Sequence, residues 1–183
     1  MFKLPFILFT AVTLALPLSA HEHEEQLGNL VGDGLGLYYS DHAISGHVNG
    51  HLVFANPFDS EFGLKLSHRA GGKTYESDFK KGTKGFGGLI ETEDAKGLKK
   101  TEILFTKVDA KAGVMEGMIG STPFKVNVSA TKMEGHHYVN PVFDVTLPSK
   151  TYSFRLNDGM ACMGCSLKIV YVVLGMLSTT GTL

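Results

Sequence analysis

The feature that most constrains this chain is a two-residue rhythm of apolar and polar side chains, cut into short runs by turn chemistry. Phe124, Val126, Val128 and Ala130 alternate with Lys125, Asn127 and Ser129; Phe143, Val145 and Leu147 repeat the rhythm, as do Tyr152, Phe154 and Leu156. A period of two sends alternate side chains to opposite faces, so each run reads as a strand with one buried and one wet face. Asn49-Gly50, between ISGHV and HLVFA, is the strongest two-residue hairpin signal. Arg69 to Gly72, Asp109 to Gly113 and Pro148-Ser149 mark further turns. Leu27 to Gly36, rich in glycine, reads as a loop or an irregular first strand. Strand-and-turn units of about eight to twelve residues describe an antiparallel meander, and a meander must protect its edges. The expected fold is therefore mainly β, an antiparallel meander closing as a sandwich or an up-and-down barrel, with a short C-terminal helix packed against the sheet. The 22 glycines fit turns and bulges better than disorder, because 43% of the residues are apolar.

Met1 to Ala20 has one early cation, Lys3, an apolar run from Phe6 to Leu16, then Pro17 and a small Ala20. That is the pattern of a secretory signal peptide cut after Ala20. The apolar run is shorter than the roughly 20 residues that a membrane span needs. The expectation is thus a periplasmic or secreted protein with no membrane span in the mature chain: a mobile segment over residues 21–36 and a single β-rich domain over 37–183. That domain ends in a CxxC-helix segment, 157–183.

The formal charge is −1, and losing Lys3 with the leader makes it −2. No basic patch stands out, so neither nucleic acid nor an anionic membrane surface is indicated. The expected partner is a metal ion or an unknown protein. No HExxH, no G-x-S-x-G elbow and no phosphate loop is present, so the chain is not read as a hydrolase or a nucleotide-binding enzyme.

The chemically specific stretch is Gly159-Met160-Ala161-Cys162-Met163-Gly164-Cys165, which holds the only two cysteines. It precedes Ile169, Val170, Val173, Leu174 and Leu177 at helical spacing, with Ser166 as a candidate cap. Cysteines at i and i+3, where a loop enters a helix, bring both sulfurs to one side, and the positive helix end favours thiolate over thiol. Two thiolates with thioether sulfur nearby, Cys162 and Cys165 with Met163, form a soft site that suits Cu(I). Zinc would need two more ligands, and a disulfide is the third outcome. If cleavage follows Ala20, the new amino terminus reads His21-Glu22-His23. A free amine, two backbone amides and the third-position imidazole suit square-planar Cu(II), giving His21 and His23 as a second candidate copper site.

The other histidines are harder to combine. A two-residue turn at Asn49-Gly50 separates His47 from His51, and in a strand His136 and His137 point to opposite faces. His68 shares the register of Phe62, Leu64 and Leu66 and is expected in the core or at its rim. A cross-sheet site joining His42, His47 or His51 with His136 or His137 is left open.

Residues 151–177 resemble the opening strand, GMxCxxC loop and first helix of heavy-metal-associated, copper-chaperone-like domains. The residues that carry the resemblance are Thr151 to Leu156, Gly159 to Cys165 and the apolar run from Ser166. The resemblance implies Cys162 and Cys165 as metal ligands, with Met160 packing beneath the loop. That family is a βαββαβ fold, and only its first strand, loop and helix are matched here. The reading that follows is an exported soft-metal, copper-type binding protein and not an enzyme, with a thiol-disulfide oxidoreductase as a minor possibility. The alternatives are a secreted structural or interaction module closed by a small disulfide, and a small-molecule carrier using a barrel interior.

Overall fold

The computed structural model describes residues 28–40, 42–60, 63–94, 97–181 and 183. The candidate leader, residues 1–20, and the candidate copper ligands His21 and His23 lie outside them.

Twelve strands close into one antiparallel barrel: β1 (Gly28–Gly32), β2 (Leu35–Tyr39), β3 (Ile44–Val48), β4 (His51–Ser60), β5 (Gly63–Ala70), β6 (Lys73–Gly82), β7 (Gly85–Asp94), β8 (Gly97–Asp109), β9 (Val114–Ile119), β10 (Thr122–Ser129), β13 (Val142–Thr146) and β14 (Thr151–Asn157). Neighbours in sequence are neighbours in the wall, and β14 returns to β1 with Leu30 opposite Leu156, so no barrel edge is left open. Between β10 and β13 the chain leaves the wall as β11 (Lys132–Glu134) and β12 (His137–Val139); β15 (Met160–Ala161) joins them in a small three-stranded sheet. The chain then ends in one helix, α1 (Met163–Thr179).

The alternation read from the sequence sets which way the wall faces. On β10, Phe124, Val126 and Val128 are buried and Lys125, Asn127 and Ser129 exposed; β14 repeats this with Tyr152, Phe154 and Leu156 against Thr151, Ser153 and Arg155. The tight turns follow from residues that tolerate left-handed backbone. Asn49 and Gly50 have φ of 49° and 79°, joining Val48 to His51 in the two-residue hairpin that their chemistry requires. The glycine-rich segment from Gly28 resolves into β1 and β2 around a second two-residue turn, Asp33-Gly34, in which Gly34 is the left-handed residue with φ of 68°.

The helix sits inside the barrel. Every residue of α1 from Ile169 to Leu177 is buried, so the segment has no solvent-facing side. Its contacts are with inward-facing wall residues: Tyr171 against Phe79, with ring centroids 4.5 Å apart, and its hydroxyl bonded to that of Ser77. Gly175 lies beside Ile90, and His68 Nε2 is 2.9 Å from Thr179 Oγ1. Size explains why a helix fits. Twelve strands about 4.8 Å apart and tilted about 40° close at a backbone diameter of about 24 Å, which, once lined with side chains, leaves room for a helix roughly 10 Å across. The β-branched Ile169, Val170, Val172 and Val173 lower helix propensity, but burial of each such side chain contributes about 1.5–3 kcal/mol, and packing wins. The helix therefore packs against the sheet, as expected, but from within the barrel.

The pairing of one seam of the closed wall is interrupted. Between β6 and β7, Glu76 pairs with Glu91 and Ser77 with Ile90, and pairing resumes only at Lys80 with Gly87. At the gap stands Gly88, where a Cβ would collide with the Asp78 carbonyl and the Tyr171 hydroxyl. A glycine there lets the phenol of α1 reach into the wall.

Candidate functional site

The dithiol lies at the mouth where α1 enters the barrel. After β14 the chain turns at Asp158, whose φ of 57° is left-handed. Asn140, also left-handed at 48°, holds the next residue from both sides: its N–H donates to the Gly159 carbonyl at 2.9 Å, and Gly159 N–H donates to its Oδ1 at 3.2 Å. This fixes β15, and β15 delivers Cys162 to the head of the helix.

Cys162 is the N-cap. Its backbone is extended (φ −71°, ψ 171°), its carbonyl accepts from Ser166 N–H at 2.8 Å, and its Sγ accepts from Cys165 N–H at 3.2 Å. The sulfur thus takes the acceptor role that a serine or aspartate oxygen fills in most caps. Ser166, expected as the cap, is instead inside the helix and fully buried, and its Oγ has no hydrogen-bond partner. The helix begins a turn earlier than its apolar periodicity suggests, because capping chemistry sets its start.

The two Sγ atoms are 2.7 Å apart, both cysteines are free thiols, and both are half-buried. The Cys165 thiol beside it, the Cys165 and Gly164 N–H groups and the charge of His137 together hold the Cys162 thiol down at about 5, against the opposing effect of burial. The first turn of α1 carries no carboxylate to compete for the helix end. His137 arrives by register: β12 pairs Tyr138 with Ala161 and Val139 with Met160, which brings His137 across from Cys162. No sequence signal marked this, since β15 is two residues long and carries no periodicity of its own.

Met160 is half-buried on β15, and Met163, half-buried in the first turn, packs against the hydrophobic core. His136 and His137 do not point to opposite faces: His136 belongs to the turn between β11 and β12, and the two rings lie against each other, tilted by 36° with centroids 4.1 Å apart. His47 and His51 lie toward the barrel end where β3 turns into β4, the end away from the dithiol, so the cross-sheet site pairing them with His136 or His137 does not form. His68 is in the core, as its register predicts; burial pulls it down to about 4, its ring stacks on Tyr75, and its Nδ1 has no partner. Among the described residues, no three His, Cys, Asp or Glu side chains come together as a group able to hold a metal ion. The barrel lumen, the space an interior carrier would use, is filled by α1. A separate open cleft of about 620 Å³ lies outside, over β6 to β8.

No protein-family model, curated protein or solved structure matches this chain. What fold and site define is a class by construction: an antiparallel twelve-stranded barrel plugged by its own C-terminal helix, with a vicinal dithiol capping that helix at one mouth.

Proposed function

We propose that the protein works as a thiol-disulfide couple, with Cys162 as the attacking thiolate and Cys165 as the resolving thiol. The observation that carries this reading is the 2.7 Å separation of the two sulfurs with Cys162 capping the helix. A disulfide needs the sulfurs to approach to about 2.05 Å. Two thiolates sharing a tetrahedral zinc at about 2.3 Å each stand about 3.8 Å apart, so an ion has to push them open. The thiolate of Cys162 attacks one sulfur of a partner disulfide, forming a mixed disulfide and releasing the partner's other sulfur as a thiolate. Cys165, once deprotonated, attacks the Cys162 sulfur, forming the Cys162–Cys165 disulfide and expelling the second partner thiolate. Two electrons pass to the partner, and the proton of Cys165 passes to a released thiolate. Export to an oxidising compartment, which the leader-like Met1 to Ala20 supports, would supply such disulfides.

A second reading, a Cu(I) ion held by the same two sulfurs, is favoured by the low-lying thiol of Cys162 and by Met160 two residues before it. The sulfurs must then separate by rotation about a side-chain bond.

Equilibration in glutathione buffers of graded potential, followed by acid quench and intact mass, tests the redox reading. The expected result is loss of two hydrogens over a single two-electron transition, absent in Cys162→Ser and Cys165→Ser. A pair that stays fully reduced in excess oxidised glutathione overturns it. Native mass after Cu(I) loading separates the second reading, which requires one copper per chain that Cys162→Ser does not retain.

A further inference from the structure

The open cleft of about 620 Å³ over β6 to β8 is ordered by charge along the strands. Register lays its outward residues in rows. In the row farthest from the β6–β7 turn, Glu91 is already engaged by Lys100. In the next, Asp78 and Glu102 stand on either side of the exposed Leu89. Lys80, Gly87 and the half-buried Leu104 follow, and then Gly82 opposite Gly85, with Lys84 in the turn itself. Carboxylates therefore hold one end, lysines the other, and the glycines between them leave a dip walled by leucine. Among the described residues, none of Asp78, Glu102, Lys80 and Lys84 takes part in an ion pair. The floor of this dip is the interrupted seam. Ser77 and Gly88 face inward, toward the Tyr171 hydroxyl, yet both line the cleft, so it reaches the backbone where Asp78–Phe79 and Gly88–Leu89 do not pair. Backbone groups freed from a ladder need other partners.

We propose that the cleft binds a short peptide with free ends, two or three residues carrying an apolar side chain, with its ammonium between Asp78 and Glu102 and its carboxylate on Lys80 and Lys84. The inference is independent of the thiol chemistry. Its volume lies within the roughly 300–1,000 Å³ of small-molecule sites. A metal ion does not suit the acidic end, because among the described residues no three such ligands converge. A simple anion would suit the lysines but meets the carboxylates, and a simple amine the reverse. A free amino acid carries both charges on one carbon, too close together for the two ends. Lys80 is two residues along the strand from Asp78, about 7 Å, and Lys84 lies beyond it. An extended tripeptide spans about 10 Å, and its amides can pair with the seam.

Isothermal titration calorimetry of the chain as isolated from expressing cells, with Ala-Leu-Ala as the probe, tests this. Saturable one-to-one binding is expected, with Kd of about 1 mM or tighter. Acetylating the amino end or amidating the carboxyl end is each expected to weaken it about tenfold or more, since each removes a charge-assisted contact. Free leucine is expected to bind at least about tenfold more weakly than the tripeptide. Asp78→Asn/Glu102→Gln should weaken the free-ended peptide by the same factor and leave the acetylated one unchanged; Lys80→Gln/Lys84→Gln should do so against the amidated one. Circular dichroism checks that both variants fold, and the blocked peptides probe the same two contacts in the wild type. A wild type with no saturable binding at about 10 mM peptide overturns the proposal. So does equal affinity for free and blocked peptides, or a loss in the carboxylate variant that the acetylated peptide shares in full.

Discussion

The acidity of Cys162 can be read from how its alkylation rate changes with pH. The Cys165 thiol, two backbone N–H groups and the charge of His137 pull this thiol from an ordinary 9.0 to about 5. At pH 6 it is then about 90% thiolate, where an ordinary thiol is about 0.1%, a ratio of about 900. A more acidic thiol is also a weaker nucleophile; a Brønsted slope of about 0.4–0.5 over four units gives back about 40- to 100-fold. The net advantage at pH 6 is only about 10- to 20-fold. The diagnostic is therefore the midpoint. With iodoacetamide under reducing conditions and residue-resolved mass spectrometry, Cys162 labelling should be nearly flat from pH 8 to pH 6 and fall with a midpoint near 5. Labelling that still climbs through pH 8 to 9 would refute the argument from cap and neighbours, whatever its absolute rate. The same depression carries a sign for stability: the contribution of the thiolate is full above pH 9 and is lost as pH falls toward 5. Because the site is half-exposed, solvent screening makes that contribution much smaller than the shift alone implies.

Two further expectations concern the barrel. Burial lowers His68 to about 4 from 6.5, so the unfolded chain binds a proton that the folded chain refuses. Stability should be level above pH 6.5 and fall toward pH 4, by about 2 kcal/mol at pH 5; urea denaturation of wild type and His68→Gln at pH 7 and pH 5 checks this, and equal losses in both would assign the slope elsewhere. Gly88→Ala puts a methyl into the Asp78 carbonyl and the Tyr171 hydroxyl and should cost about 1–3 kcal/mol, whereas Gly36→Ala, with no atom within 4 Å of the added Cβ, should change stability by about 0.5 kcal/mol or less. Comparable effects at the two positions would mean that α1 does not reach the seam between β6 and β7.

Much of the wall was legible in the sequence. Alternation at Phe124 to Ala130, Phe143 to Leu147 and Tyr152 to Leu156 determined strands and their buried faces, because a period of two is a property of the local chain. Asn49-Gly50 determined its turn for the same reason, since the backbone dihedrals it requires are those that asparagine and glycine tolerate. The cysteine spacing determined that two sulfurs meet at a helix start. What only the tertiary structure decided are the non-local matters. Barrel rather than sandwich depends on Leu30 of β1 meeting Leu156 of β14, residues that alternation makes eligible but does not pair. The helix over Ile169 to Leu177 was legible in its spacing; that a lumen of the right width buries it on every side, offsetting its β-branched propensity, was not. The cap passed from Ser166 to Cys162, and His137 came beside the thiolate, because the Asn140–Gly159 bonds and the register of β12 with β15 fixed where the chain enters the barrel. Periodicity records which side of an element is buried; which element buries it is set only when distant stretches of chain close on one another.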